Sequence, residues 1–176
     1  MATIAEILAR LQSALPERPF GVHAGPMPIL VVEPADLLEV MRTLRDDPEL
    51  AFDYLSDLTP VDQIYFDEID VNYVLFSLRH RHSLTVKVRV DRDDAALPSL
   101  VPLWRGANFQ EREAYDMFGI RFLGHPNLTR ILTWDDFPGH ALRKDFAINE
   151  PALIPRNRVR LDYPGAPSLV PPAQEP

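Results

Sequence analysis

"IDVNYVLFSL" (Ile69–Leu78), "RHRH" (Arg79–His82) and "SLTVKVRVD" (Ser83–Asp91) together decide how this chain folds. The first run is rich in β-branched and aromatic residues, which suit strands. The last alternates, with Leu84, Val86, Val88 and Val90 on one side and Thr85, Lys87 and Arg89 on the other. Successive strand residues face opposite ways, so this strand has one dry face and one wet face. The tetrapeptide between the runs reads as a hairpin turn. A dry sheet face needs cover, and the upstream sequence offers it.

Ile4, Ile7, Leu8, Leu11 and Leu15 recur at helical spacing, which predicts an amphipathic helix over residues 3–15, stopped by Pro16 and Pro19. "ILVV" (Ile29–Val32) reads as a short buried strand. "EPADLLEVMRTLRDD" (residues 33–47) predicts a second helix, with Pro34 near its start and Leu37, Leu38, Met41 and Leu44 on one stripe. Phe52, Tyr54 and Leu55 mark a further strand, ended by Thr59-Pro60. The expected class is α+β, with helices packed on one face of a mixed or antiparallel sheet. Residues 1–94 form that core, residues 95–146 a second region with another helix, and residues 147–176 an extended Pro-rich tail. Five prolines fall in residues 161–176. That stretch reads as extended or disordered, and fully stretched it spans on the order of 50 Å.

Composition narrows the function. The chain has 176 residues and no cysteine. Disulfides, Cys-ligated iron–sulfur clusters, Cys-type zinc sites and thiol nucleophiles are therefore excluded. "MATIAEILARLQSALPERPF" lacks the basic start and apolar run of a signal peptide. No apolar stretch approaches the roughly 20 residues of a membrane span. Residues 1–110 hold 10 Lys/Arg against 17 Asp/Glu, whereas residues 111–160 hold 8 against 7. An acidic body disfavours nucleic acid as a partner. The late basic residues Arg121, Arg130, Arg143, Lys144, Arg156, Arg158 and Arg160 read most simply as a solvated face.

The densest chemistry lies in "EREAYDMFGIRFLGHP" (Glu111–Pro126). Asn108 and Glu111 are spaced as a capping box, and Gly119 suits the position just past a helix end. The spacing predicts a helix over 109–118. Ala114, Met117 and Phe118 share one side, and Arg112, Glu113 and Asp116 the opposite arc. Arg112 and Asp116 are placed to pair at i, i+4, Glu111 suits the first-turn dipole, and Glu111 and Tyr115 fall at the boundary. Glu111, Glu113, Asp116 and His125 could hold a metal, but only Glu113 and Asp116 share an arc and the single His follows nine residues later. Glu113 and Asp116 as an acid–base pair lack a nearby nucleophile or phosphate-binding loop. His80 and His82 share a hairpin face and read as solvated turn residues. Ion pairs that fix the shape of "FGIRFLGHP", with Gly119, Gly124 and Pro126 setting turns, remain the simplest physical account.

The order of these residues resembles the 30-kDa-type subunit family of respiratory complex I, which in bacteria belongs to NADH–quinone oxidoreductase. The matching positions are Glu111-Arg112-Glu113, Tyr115-Asp116, Met117-Phe118, Gly119, Phe122, Gly124-His125-Pro126, Leu128, Arg130 and Leu142-Arg143-Lys144-Asp145. They cover about residues 104–146, and the α+β layout before them also fits. Phe109 stands where relatives often carry Trp, and Ala141 where Pro often precedes the L-R-K-D run. The resemblance implies a cofactor-free structural subunit with no catalytic, cofactor-binding or metal residues of its own. FMN and iron–sulfur clusters would sit in partner subunits, and electrons from NADH would reach quinone with ion translocation. Its implied partners are the quinone-site subunit and adjacent iron–sulfur subunits of the hydrophilic arm, peripheral on the cytoplasmic side of the inner membrane. The signature residues would face or fix those contacts. Arg112 and Glu113 are expected to be desolvated at or near a contact between subunits. Arg143 and Lys144 are expected to grip an acidic partner surface or backbone carbonyls, and the tail to lie over partners as a strap. Related subunits of membrane-bound hydrogenases and ferredoxin-driven complexes would keep the role and change the electron donor. A stand-alone metal-dependent enzyme is the alternative from another class.

Overall fold

The structure is a computed structural model and describes residues 3–25 and 27–147. Helix α1 (Ile4–Ala14) begins at Thr3, whose hydroxyl accepts from the Glu6 N–H while the Glu6 carboxylate accepts from the Thr3 N–H. This capping box satisfies two of the helix's bare donors. Ile7 and Leu11 are fully buried. Strands β1 (Gly21–His23) and β2 (Ile29–Val31) follow. A 3₁₀ turn at Pro34–Asp36 leads into α2 (Leu37–Asp46), which buries Leu37, Val40, Met41 and Leu44.

Three ten-residue strands then build the sheet: β3 (Tyr54–Gln63), β4 (Glu68–Ser77) and β5 (His82–Asp91). The sheet order is β1-β2-β5-β4-β3, antiparallel except for the parallel β2–β5 pair. The central hairpin is as expected, with Ser77 opposite His82. Leu84, Val86, Val88 and Val90 face inward beside Ile69, Val71, Tyr73 and Leu75. Residues from α1 and α2 join them in one hydrophobic core, which continues past residue 94 through Leu97, Leu100 and Trp104.

Two expectations change here. β3 does not stop at Thr59-Pro60 but runs on to Gln63, with Pro60 opposite Val71. β3 is an edge strand, where a residue without an N–H need break no ladder bond. His82 is not a solvated turn residue. It is buried at the start of β5, its Nε2 is 2.8 Å from the Leu50 carbonyl, and it stacks on His80.

After β5 the chain makes a small βαβ unit. Strand β6 (Ala96–Pro98) pairs in parallel with β7 (Arg121–Leu123), and helix α3 (Ala107–Phe118) is the crossover between them. Parallel neighbours need such a crossover. α3 also packs on β3, and Gln110 donates to the Ser56 carbonyl beside the bulge in that strand. The expected strap, residues 147–176, lies outside the described residues apart from Ala147. Among the described residues, no helix is long and apolar enough to cross a membrane.

Candidate functional site

The site is the C-terminal half of α3 and the chain from Gly124 to Phe146 that folds back on it. α3 buries Ala114, Met117 and Phe118 as expected, but it also buries Glu111 and Asp116. The helix starts at Ala107, earlier than its spacing suggested. Asn108 therefore caps nothing, and Glu111 lies beyond the first turn rather than in a capping box. Instead Glu111 points under the βαβ unit and accepts from the Ser99 hydroxyl and the Leu100 N–H, both at 2.6 Å. Burial pushes its carboxyl up to about 7, although those two bonds pull the other way. His125 is equally enclosed, with Nε2 4.0 Å from Glu111 Oε2. Its Nε2 bonds the Asn108 carbonyl, and its Nδ1 accepts from the Asn127 N–H. The turn at Gly124, φ +81°, aims the histidine back at the helix.

Asp116 does not pair with Arg112. Five donors from the returning chain surround it: Arg130 Nη1 at 2.8 Å, the Thr133 hydroxyl, and the N–H groups of Ile131, Leu132 and Thr133 at 3.0, 2.7 and 2.9 Å. Burial alone would raise its pKa. The Thr133 hydroxyl and the three backbone donors outweigh burial and hold the group well below the usual carboxylate range. A lone i, i+4 ion pair is worth a few tenths of a kcal/mol, so it yields to this nest. Arg112 turns to the same loop and donates to the carbonyls of Thr129 and Arg130. Arg130 also donates to the carbonyls of Gly139 and Phe137. Glu113 remains exposed.

The end of α3 explains the final motif. The last four carbonyls of a helix have no partner within it. Here Gly119 N–H bonds Tyr115, His140 Nδ1 bonds Asp116, Leu142 N–H bonds Met117, and Arg143 Nε bonds Phe118 at 2.7 Å. Gly119 adopts φ +81°, and a Cβ on it would lie 2.5 Å from His140 Nε2. Tyr115, half-buried, meets the His140 ring edge-on. Arg143 donates also to the Arg92 carbonyl. Next to it, the Lys144 N–H bonds Asp62, while the Lys144 side chain stays exposed. Asp145 bonds Arg92 at 2.5 Å, and Arg92 forms a buried two-point pair with Asp62. The Arg92 bonds depress the Asp62 carboxyl and raise the guanidinium.

Of the late basic residues, Arg130 and Arg143 therefore do not belong to a solvated face, whereas Arg121 and Lys144 are exposed. Arg130 binds Asp116 and this chain's own carbonyls, Arg143 binds the carbonyls of Phe118 and Arg92, and the exposed Arg121 pairs with Asp94. Arg156, Arg158 and Arg160 lie outside the described residues. The sequence reading missed Asp62, Arg92, Ser99, Thr133 and His140. Asp62 carried one signal: it shares the inward face of β3 with Leu58 and Pro60, where an acid must have a partner. Glu111, Glu113 and Asp116 point to three different surroundings. Among the described residues, no three His, Asp or Glu gather as a metal site. The returning chain exposes the apolar Ile131, Leu132, Trp134 and Leu142 beside the charged Asp135, Asp136 and Lys144.

The sequence model of the family described as "Respiratory-chain NADH dehydrogenase, 30 Kd subunit" matches residues 30–152. The chain belongs to that family. Among relatives, the NADH-quinone oxidoreductase C subunit of Roseiflexus castenholzii is 46% identical over 141 residues, covering 79% of this chain and 81% of the relative. The Moorella thermoacetica protein of the same name is 46% identical over 122 residues, 69% of this chain and 81% of that one. The solved trypsin-resistant fragment (1–134) of Nqo5 superposes with a TM-score of 0.54 at 30% identity, covering 68% of this chain and 99% of the fragment. A chain of the archaeal membrane-bound sulfane sulfur reductase shares the fold at 23% identity, with a TM-score of 0.67 over 82% of this chain and 86% of that one. This 30-kDa family member is thus a subunit of a multi-subunit respiratory complex, and its signature residues build a clamp.

Proposed function

We propose that this chain is a non-catalytic, cofactor-free brace in the peripheral arm of NADH–quinone oxidoreductase. FMN and iron–sulfur clusters are carried by neighbouring subunits. The chain is held on the cytoplasmic side of the membrane through those neighbours, chiefly the quinone-site subunit and the adjacent iron–sulfur subunits. One observation carries the proposal: the signature's Arg112, Asp116, Arg130 and Arg143 are occupied in clamping residues 128–146 onto α3. Asp116 and Arg130 have their bonding positions filled from within the chain, which leaves neither aimed into a cleft to meet a substrate. The clamp sets Ile131, Leu132, Trp134 and Leu142 in a fixed outward array. Exposed apolar groups held rigidly suit a protein contact.

The test replaces the array and keeps the clamp. Leu132→Ser with Trp134→Ser should lower the amount of assembled, quinone-reducing complex, while the detached flavin module still oxidises NADH with an artificial acceptor. Normal assembly with lost turnover would overturn the bracing role, as would catalysis by the isolated chain. A subunit of a related complex with another electron donor is the second reading, favoured by the likeness in fold to the archaeal reductase chain. Polypeptides that co-purify with the tagged chain separate the two.

A further inference from the structure

The β3–β4 hairpin tip has features that the clamp does not explain. Tyr65 is 93% exposed and Phe66 73%, adjacent to each other at the far end of the sheet from the β4–β5 turn. A four-residue turn does not require aromatics, and water is a poor place for two of them. The tip is rigid. The Phe66 N–H bonds the Gln63 carbonyl at 2.8 Å, and Asp67 adopts φ +54° to close the turn. The Asp67 carbonyl accepts from the Arg92 N–H at 2.9 Å, tying the tip to the segment after β5. Arg92 is itself fixed by Asp62 and Asp145. The rings therefore stand on a braced stalk, so ordering costs little on contact.

Charge says what the tip can meet. Asp67, Asp91 and Asp93 are exposed around it, and Glu68 lies across from Asp91. The nearest cation facing Glu68 is Arg89, at 3.9 Å, and Arg89 is shared with Asp70. An anionic lipid surface would be repelled by this rim. A second copy of the tip would bring two acidic rims together. We propose that Tyr65 and Phe66 form a docking knuckle for another protein subunit of the complex, which offers an apolar pocket rimmed by Lys or Arg. This presupposes that the chain works inside an assembly. The knuckle is a second contact, distinct from the Ile131–Leu142 array, and it is formed by the sheet rather than by the chain returning on α3.

The test uses the full tagged chain expressed with its complex. The wild-type chain is first checked for entry into the complex; failure there removes the bracing role and this proposal together. Tyr65→Ser with Phe66→Ser should leave the thermal midpoint of the isolated chain unchanged, because both rings are exposed. It should weaken retention in the complex by about 30-fold, the loss expected for a hot-spot anchor. A photoreactive benzoylphenylalanine placed at position 65 should crosslink to a peptide of another subunit that carries flanking Lys or Arg. Undiminished retention of the double variant overturns the proposal while leaving the bracing role intact. So does crosslinking to lipid, to a second copy, or to residues 148–176 of the same chain, which carry Arg156, Arg158 and Arg160.

Discussion

Glu111→Gln tests the buried carboxyl under the βαβ unit. The glutamine keeps the shape and an oxygen for the Leu100 N–H, but it cannot ionise. In the folded wild type, burial raises the carboxyl from its ordinary 4.5 to about 7. A group whose folded pKa is raised contributes stability that is fully present below the unfolded value and is lost as pH climbs through the folded one. The window is therefore about pH 4.5 to 7, and the swing across it amounts to roughly 3 kcal/mol. That is a large share of the 5–15 kcal/mol typical of a whole domain. Urea denaturation of the isolated chain at several pH values measures it. Wild type should lose stability relative to Glu111→Gln as pH rises from 5 to 8. The other ionisable groups are common to both proteins, so the difference reports Glu111 together with the His125 ring beside it. Parallel stability–pH curves would refute the reasoning, because they would mean that this carboxyl ionises as easily inside the fold as in water.

Asp116→Asn removes the charge that five donors surround, and breaking such a pair from one side costs about 3–5 kcal/mol. Amide exchange at Ile131, Leu132 and Thr133 should speed up; unchanged protection there would show that the nest is not what holds the loop. Gly119→Ala and Gly124→Ala share φ +81°, which costs an alanine about 1–2 kcal/mol. Only Gly119 has His140 against it, so its midpoint should fall further, and equal losses would deny the close approach. The Tyr73 hydroxyl is buried without a hydrogen-bond partner among the described groups. Tyr73→Phe should thus be neutral or stabilising by up to about 1–2 kcal/mol in the same denaturation assay, and a clear loss would reveal a bond that the hydroxyl makes.

The sheet was legible because its signal is local. Val86, Val88 and Val90 alternate with polar neighbours, and that period alone fixes their faces. The three-residue strands β1, β6 and β7 carry too few residues for any period to show. Pro60 looked like a stop because a sequence does not say which strand will lie at an edge. Within the site, the buried face of α3 was legible from Ala114, Met117 and Phe118. The partners of its charges were not. Asp116 and Arg112 satisfy the i, i+4 rule, yet the outcome turned on donors 14 to 17 residues downstream that no helical spacing contains. Asp62 and Lys144 are 82 residues apart. The order of residues in the L-R-K-D run pointed to a family, but only the helix end shows why its Arg143 must be there.

The way α3 ends also has a consequence in time. Protein emerges from the ribosome amino end first, at about 5–20 residues per second. Among the described residues, the carbonyls of Asp116, Met117 and Phe118 find their donors on His140, Leu142 and Arg143. A nascent chain halted between residues 118 and 140 holds a frayed terminus, and one halted before residue 130 an unclasped acid as well, so the last turn should set only when translation has passed residue 143. Pulse-labelled ribosome-bound chains of graded length would display that step as an abrupt gain in protease resistance.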